Sequence, residues 1–296
     1  MVREIESELV MERPAFEAES RQSGGIKSIL FHVHDDEAVM ARLQVALTLA
    51  RACGAHLQCL HVTALEAYSV MDLYGGVFVS SQVTEALEEQ TDELRRQIES
   101  ELGNEHVSWD YEEALGELVP RLVQRAALSD LLIAGREPMQ RKSGGPAVAL
   151  LGDLLQRSRT PLLVVGDENE RFDPFGPAVI AWNGSYEAAN AVRDAIPMLR
   201  MASDVRVVRF TEDKEELFKS NRLLEYLSRH GIHAEIETLA PPKAGIDVGL
   251  VEYATGRKAS MIVMGGYSHS RAGQFLFGGV TRTLLKSCAI SLFLSR

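Results

Sequence analysis

Two glycine pairs frame the segment of this chain best suited to holding an anion. Met261-Ile-Val-Met-Gly265 is an apolar run ending in glycine, Gly266 follows, and Gly278-Gly279 opens a helix-like stretch through Leu285. A strand, a polar loop, glycines and a helix start leave backbone amides unpaired and pointing outward, toward where a phosphate could sit. A side chain at such a position fills the volume an oxygen needs, so Gly265, Gly278 and Gly279 keep it clear. Thr281, just inside the helix, offers a hydroxyl, and Arg271, in the loop, a positive charge. The bland alternative is that these glycines only shape a strand exit and a helix start.

Other chemistry-bearing clusters are weaker. His32, His34, Asp35 and Asp36 form the densest set of metal-ligand types, and His61 on a neighbouring strand could join them. Two histidines and a carboxylate would suit zinc. No regular ligand spacing supports a metal, and a polar strand exit with Asp35 or Asp36 capping the next helix is the favoured reading. Ser268-His269-Ser270 suggests a nucleophile, but adjacent residues rarely meet in hydrogen-bonding geometry, and a Gly-x-Ser-x-Gly elbow is lacking. There is neither a Gly-Lys-Ser/Thr phosphate loop nor a Gly-x-Gly-x-x-Gly after the first strand of either repeat. No catalytic set emerges.

The elements that must position the glycine loop occur twice. Leu131-Leu-Ile-Ala-Gly135 matches Met261-Ile-Val-Met-Gly265, and the same displacement carries Leu154-Leu-Gln-Arg through Val165 onto Leu284-Leu-Lys-Ser through Ser295. Upstream, Ile29-Leu-Phe-His-Val33 pairs with Ala178-Val-Ile-Ala-Trp182, and Leu57 to Val62 with Val205 to Phe210. Val39, Leu43, Ala46, Leu47 and Ala50 recur on one face and predict a helix over 37–52 that ends near Gly54. Short, continuously apolar runs at Leu131 to Ala134 and Leu162 to Val165 read as strands buried on both faces. Strands alternating with helices imply a parallel, doubly wound sheet, with ligands beyond the carboxyl ends of the strands where the winding reverses. Trp109 and Trp182 read as core or interface residues, and Cys59 as buried and inert.

At 296 residues the chain is long enough for two average domains. A formal charge of −11 argues against nonspecific nucleic-acid binding, which needs clustered Lys and Arg. No apolar run approaches a membrane span, and the N-terminus lacks the apolar core of a signal peptide. Three widely spaced cysteines suggest neither a disulfide framework nor a zinc site, so a reducing cytoplasm is expected.

The glycine loop and the repeated unit resemble the universal stress protein family, over roughly residues 26 to 296. The nucleotide-binding branch of that family carries Gly, two residues, Gly, nine residues, then Gly-Ser or Gly-Thr. The matching positions here are Gly265, Ser268, Gly278 and Gly279. The resemblance also places Ala181 and Asn183 at the exit of the second repeat's first strand, where the family has an Asp that contacts the adenosine end of ATP. Asn keeps a carbonyl acceptor and adds a donor. Two departures cut against ATP: Ser268 replaces a glycine, and Gly279 removes a phosphate-contacting hydroxyl. In the first repeat the loop positions are Gly135, Pro138, Val148 and Ala149, with His34 at the adenosine position. No nucleotide is expected at that loop.

The resemblance implies two tandem flavodoxin-like domains, each a five-stranded parallel sheet with helices on both faces, packed as a pseudo-twofold pair. The boundaries expected are a mobile tail at 1–25, domains at 26–165 and 177–296, and a linker at 166–176. The terminal strands, Thr160 to Val165 and Ile290 to Leu294, would pair within the chain and hide their exposed edges. A stress-response regulator acting by binding is implied, with an adenine nucleotide and magnesium in the second domain. A nucleotide-free interaction module and a slow ATP hydrolase are the alternatives. A homodimer and a protein partner are left open, with no membrane contact.

Overall fold

The computed structural model describes residues 25–64, 69–71, 77–79, 81–136, 147–166, 172–211, 217–266 and 279–296. The tail expected at 1–25 lies outside them except for Gly25, as does the middle of the expected linker. In the first half, β1 (Ser28–Val33), α1 (Val39–Cys53), β2 (His56–Thr63), β3 (Ser69–Met71), β4 (Val77–Val79), α2 (Ser81–Gly103) and β5 (Trp109–Leu115) come first. There follow α3 (Leu118–Ala126), β6 (Leu131–Gly135), α4 (Ala147–Arg157) and β7 (Leu162–Val165). The second half runs β8 (Ala178–Ala181), α5 (Tyr186–Leu199), β9 (Val205–Phe210), α6 (Ser220–Arg229) and β10 (Ala234–Leu239). It closes with α7 (Ile246–Gly256), β11 (Met261–Gly265), α8 (Gly279–Ser287) and β12 (Ser291–Ser295).

The helix predicted over 37–52 is α1, and it stops where its sequence says it should. Gly54 adopts φ 58° and ψ 46°, a left-handed conformation that glycine takes without a side-chain penalty, and its N–H closes on the last turn. At the other end the expected aspartate cap does not form: the cap residue is Ala38, with no side-chain cap bond, and Asp36 Oδ1 instead accepts from the N–H of Ala38 at 2.9 Å, in the turn that leads into the helix. The antiparallel β3–β4 hairpin was not legible in the sequence, because strands of three residues carry no usable period.

One ten-stranded sheet spans both halves, in the order β10-β9-β8-β11-β12-β7-β6-β1-β2-β5. Neighbouring strands of this sheet are parallel except at the junction of β12 with β7, which is antiparallel. There Leu292 faces Val164, Phe293 faces Leu163 and Leu294 faces Leu162. The displacement that relates the two repeats carries Leu163 onto Phe293, so each strand's central residue meets its own counterpart. That register puts a pseudo-twofold axis through the pair and covers two edges that would otherwise template aggregation.

Each face of the sheet carries its own apolar layer. Helices α1, α2, α5 and α6 cover one face over Phe31, Leu57, Val207 and Phe293; α3, α4, α7 and α8 cover the other over Leu30, Leu132, Ile262 and Leu292. Both layers cross the junction without a break. Cys53 at the end of α1 touches Met201 beyond α5, Sγ to Sδ 3.9 Å. All three cysteines are free and buried. Burial pushes the Cys53 thiol up to about 11 and Cys59 to about 12, which keeps both protonated at neutral pH. Among the described residues no helix is long and apolar enough to cross a membrane.

Candidate functional site

Reversal of the winding falls between β8 and β11 in the second half and between β1 and β6 in the first. Because β7 and β12 are antiparallel, the carboxyl ends of the two halves lie on opposite edges of the common sheet. Each half therefore has its own cleft position, and the two do not merge.

In the second half, β8 runs beside β11 with Ile180 opposite Val263, so Ala181 and Asn183 leave the sheet next to Gly265. The turn into α5 is tightly tied. Asn183 Oδ1 accepts from the N–H of Ser185 at 3.1 Å, and Ser185 Oγ caps α5 by accepting from the N–H of Ala188 at 3.1 Å. Gly184 has φ 70°, a conformation the turn requires, and its carbonyl accepts from the N–H of Phe218 at 3.0 Å. Asn183 is exposed, and its carbonyl oxygen gives one of its two lone pairs to this turn. To a ligand it presents the amide NH2 and the remaining lone pair, where a carboxylate would be acceptor only.

The glycines play unequal parts. A Cβ on Gly265 would lie 2.6 Å from the carbonyl carbon of Glu187 and 2.7 Å from the nitrogen of Ala188. Gly265 is thus needed because the first turn of α5 crosses the strand end there. A Cβ on Gly279, the first residue of α8, would meet no described atom within 4 Å. The start of a helix leaves its first amides without partners in the helix, which is the character of a phosphate cradle. Thr281 is buried and shares the sheet-facing stripe of α8 with Leu284 and Leu285. Ser268, Arg271 and Gly278 lie outside the described residues.

The described groups that would face an adenine nucleotide here are the amides of the first turn of α8, with the phosphates, and the side-chain amide of Asn183.

The metal-ligand types of the first half do not assemble. Among the described residues there is no group of three His, Cys, Asp or Glu placed to hold a metal ion. His32 and His34 stack with ring centroids 5.8 Å apart. His34 Nε2 lies 3.8 Å from Asp36 Oδ2, while Asp35 accepts from Gln90 on α2. Burial lowers the His61 pKa, against an opposing pull from Asp35. At the strand-end glycine, Gly135, the occupant is the side chain of Arg42. The sequence reading passed over Arg42; the available signal was a cation on the stripe formed by Val39, Leu43 and Ala46.

The sequence matches no protein-family model and no curated protein. Its fold does match solved structures. A universal stress protein from Archaeoglobus fulgidus superposes with a TM-score of 0.68 at 13% identity, over 90% of this chain and 97% of that chain. A functionally unknown protein from Pseudomonas aeruginosa PAO1 gives 0.56 at 16% identity, over 93% and 94%. A chain from Pseudomonas aeruginosa UCBPP-PA14 named for the universal stress proteins gives 0.55 at 18%, again over 93% and 94%. At such identities the likeness is one of fold, and it runs through both halves.

Proposed function

From a chain with the two-domain fold of the universal stress proteins, we propose a stress-response regulator that acts by binding rather than by turnover. Its second half holds an adenine nucleotide, with magnesium accompanying the phosphates. The observation that supports this most is the start of α8: a helix N-terminus with no described atom against Gly279, in the half whose winding reverses between β8, which leads to the exposed Asn183, and β11. The nucleotide brings negative charge and a hydrogen-bonding ring. The chain's part is to orient it, through the α8 amides at the phosphates and Asn183 at the adenosine end.

Calorimetry with ATP, ADP and AMP tests the reading. We expect at most one site per chain and loss of binding in Gly278→Val. Gly279→Ser restores the family's hydroxyl and should tighten ATP by about tenfold, the worth of one charge-assisted hydrogen bond of about 1.5 kcal/mol. Two equivalent sites, or an unchanged affinity in Gly278→Val, would remove the nucleotide from this loop.

A second reading, a nucleotide-free interaction module, draws on the same turn. The Asn183 carbonyl already accepts from Ser185, and Gly265 is explained by helix packing alone. Mass spectrometry of ligands released from the purified protein separates the two. In either case, single-turnover hydrolysis with magnesium should stay far below the order of one per second, a low ordinary enzyme rate. A faster rate that is lost in Gly278→Val would make the protein an ATPase.

A further inference from the structure

Arg42 is completely buried, on the first helix of the chain's first half. Its guanidinium reaches the carboxyl end of the sheet, where Nη2 donates to the carbonyl of His34 at 3.2 Å and to Asp36 Oδ1 at 2.7 Å. Nε and Nη1 have no acceptor. Arginine carries five N–H donors and does not deprotonate in proteins, so three buried N–H groups find no acceptor among the described residues. Folded proteins satisfy nearly all such groups, and where protein atoms do not, water or a bound ion does.

The place matters as much as the deficit. A Cβ on Gly135 would lie 2.5 Å from Cδ and Nε of Arg42 and 2.7 Å from Cζ. Gly135 and Arg42 are therefore a matched pair: glycine at the strand end gives the guanidinium its room. Gly135 ends β6, and β6 and β1 flank the reversal of winding, the position at which open α/β sheets bind ligands. Aligning β1 with β8 puts Ala191 opposite Arg42, and in the second half the backbone of α5 itself fills the space over the equivalent Gly265. The two halves thus use one position differently, and only the first places a guanidinium there.

We propose that this switch point is an oxyanion site, at which a carboxylate or phosphate group of a small molecule accepts from Nε and Nη1 of Arg42. Asp36 is the positioning residue. Its carboxylate accepts from Arg42 and from the N–H of Ala38, so it fixes the guanidinium on one side and leaves the other donors for the ligand. Asp36 also offsets the arginine's charge. The N-terminus of α1, one turn before Arg42, restores a positive field, and His34 beside Asp36 adds to it when protonated. With no exposed area on Arg42, the surrounding side chains must part for entry, which favours a small anion over a whole nucleotide. The site is independent of the nucleotide reading, because the second cleft opens on the other edge of the sheet.

The test is the melting temperature of the full chain in inorganic phosphate and in acetate, each against chloride at equal ionic strength. Binding should raise Tm by about 2–4 °C for each tenfold rise in anion above its Kd, and Arg42→Met should abolish the rise. Phosphate alone giving the shift assigns a phosphorylated ligand; acetate alone assigns a carboxylate. Should Arg42→Met fail to fold, the Nε–H resonance of Arg42 in 15N-arginine-labelled wild-type protein decides, and it should move on addition of the active anion. Equal Tm in all three salts, the same rise in Arg42→Met, or an Nε–H resonance indifferent to both anions would overturn the proposal and leave buried water as the partner.

Discussion

Replacing Leu292 by glutamate is expected to unfold the whole chain and not merely to loosen its second half. Leu292 is fully buried on β12, directly opposite Val164 of β7, in the apolar layer that α4 and α8 cover together. A carboxylate there has no partner, and burying it uncompensated costs several kcal/mol even if it takes up a proton. Total stability for a chain of this kind is about 5–15 kcal/mol. The junction is where the two halves share strands and both core layers, so the loss is common to them. Phe293→Ala, which leaves a cavity on the opposite face, should cost about 3–5 kcal/mol and serves as the milder member of the series. Urea denaturation followed by circular dichroism should show one transition, moved to lower urea in both variants. Two separate transitions, with only the second affected, would mean that the halves fold independently despite the shared sheet.

That junction was expected from the resemblance, in which the last strands of two domains pair. The residues supply the matching runs: the repeat aligns Leu162 to Val165 with Leu292 to Ser295 without a gap, and both are apolar enough to need cover. Joining the two edges about a twofold axis satisfies that need at once. The register, with Leu163 on Phe293, follows from the axis, since a symmetric pair must place equivalent residues opposite each other. Buried strands and the helix α1 were readable from period and composition, and so was the inert character of Cys59.

The clefts were harder to read, because a glycine in a sequence does not say what approaches it. Gly265 was expected to keep space for phosphate; the structure brings the first turn of α5 against it instead. Gly135 looked like the lone survivor of a degraded loop, yet it accommodates Arg42. Arg42 itself went unnoticed because one cation on an apolar stripe is usually a long side chain that snorkels to water. Here the strand-end glycine gives it an interior destination. Asn183 offers an acceptor and a donor, and its own turn takes one lone pair of the acceptor. In each case the deciding fact is a contact between residues far apart in the chain.

Gly265→Val separates these two meanings of the glycine. If the helix is what the position serves, the new side chain collides with backbone atoms of Glu187 and Ala188 that lie within 2.7 Å of its Cβ. Backbone cannot swing aside as the end of a flexible side chain can, so α5 must shift as a unit. Overpacking of this kind costs about 1–3 kcal/mol, and a branched residue against backbone belongs at the upper end or beyond it. Moving the start of α5 also pulls on the Ser185 cap and the Asn183 turn, so ligand affinity should fall together with stability. Gly279→Ala is the control: its Cβ meets no described atom within 4 Å, and stability should stay within about 0.5 kcal/mol of wild type. Gly135→Ala should fall between the two, because the atoms it meets belong to the Arg42 side chain. Chemical denaturation of the three variants gives the ranking. A Gly265→Val protein as stable as wild type but unable to bind nucleotide would show that the position serves the ligand, and that α5 has room to move.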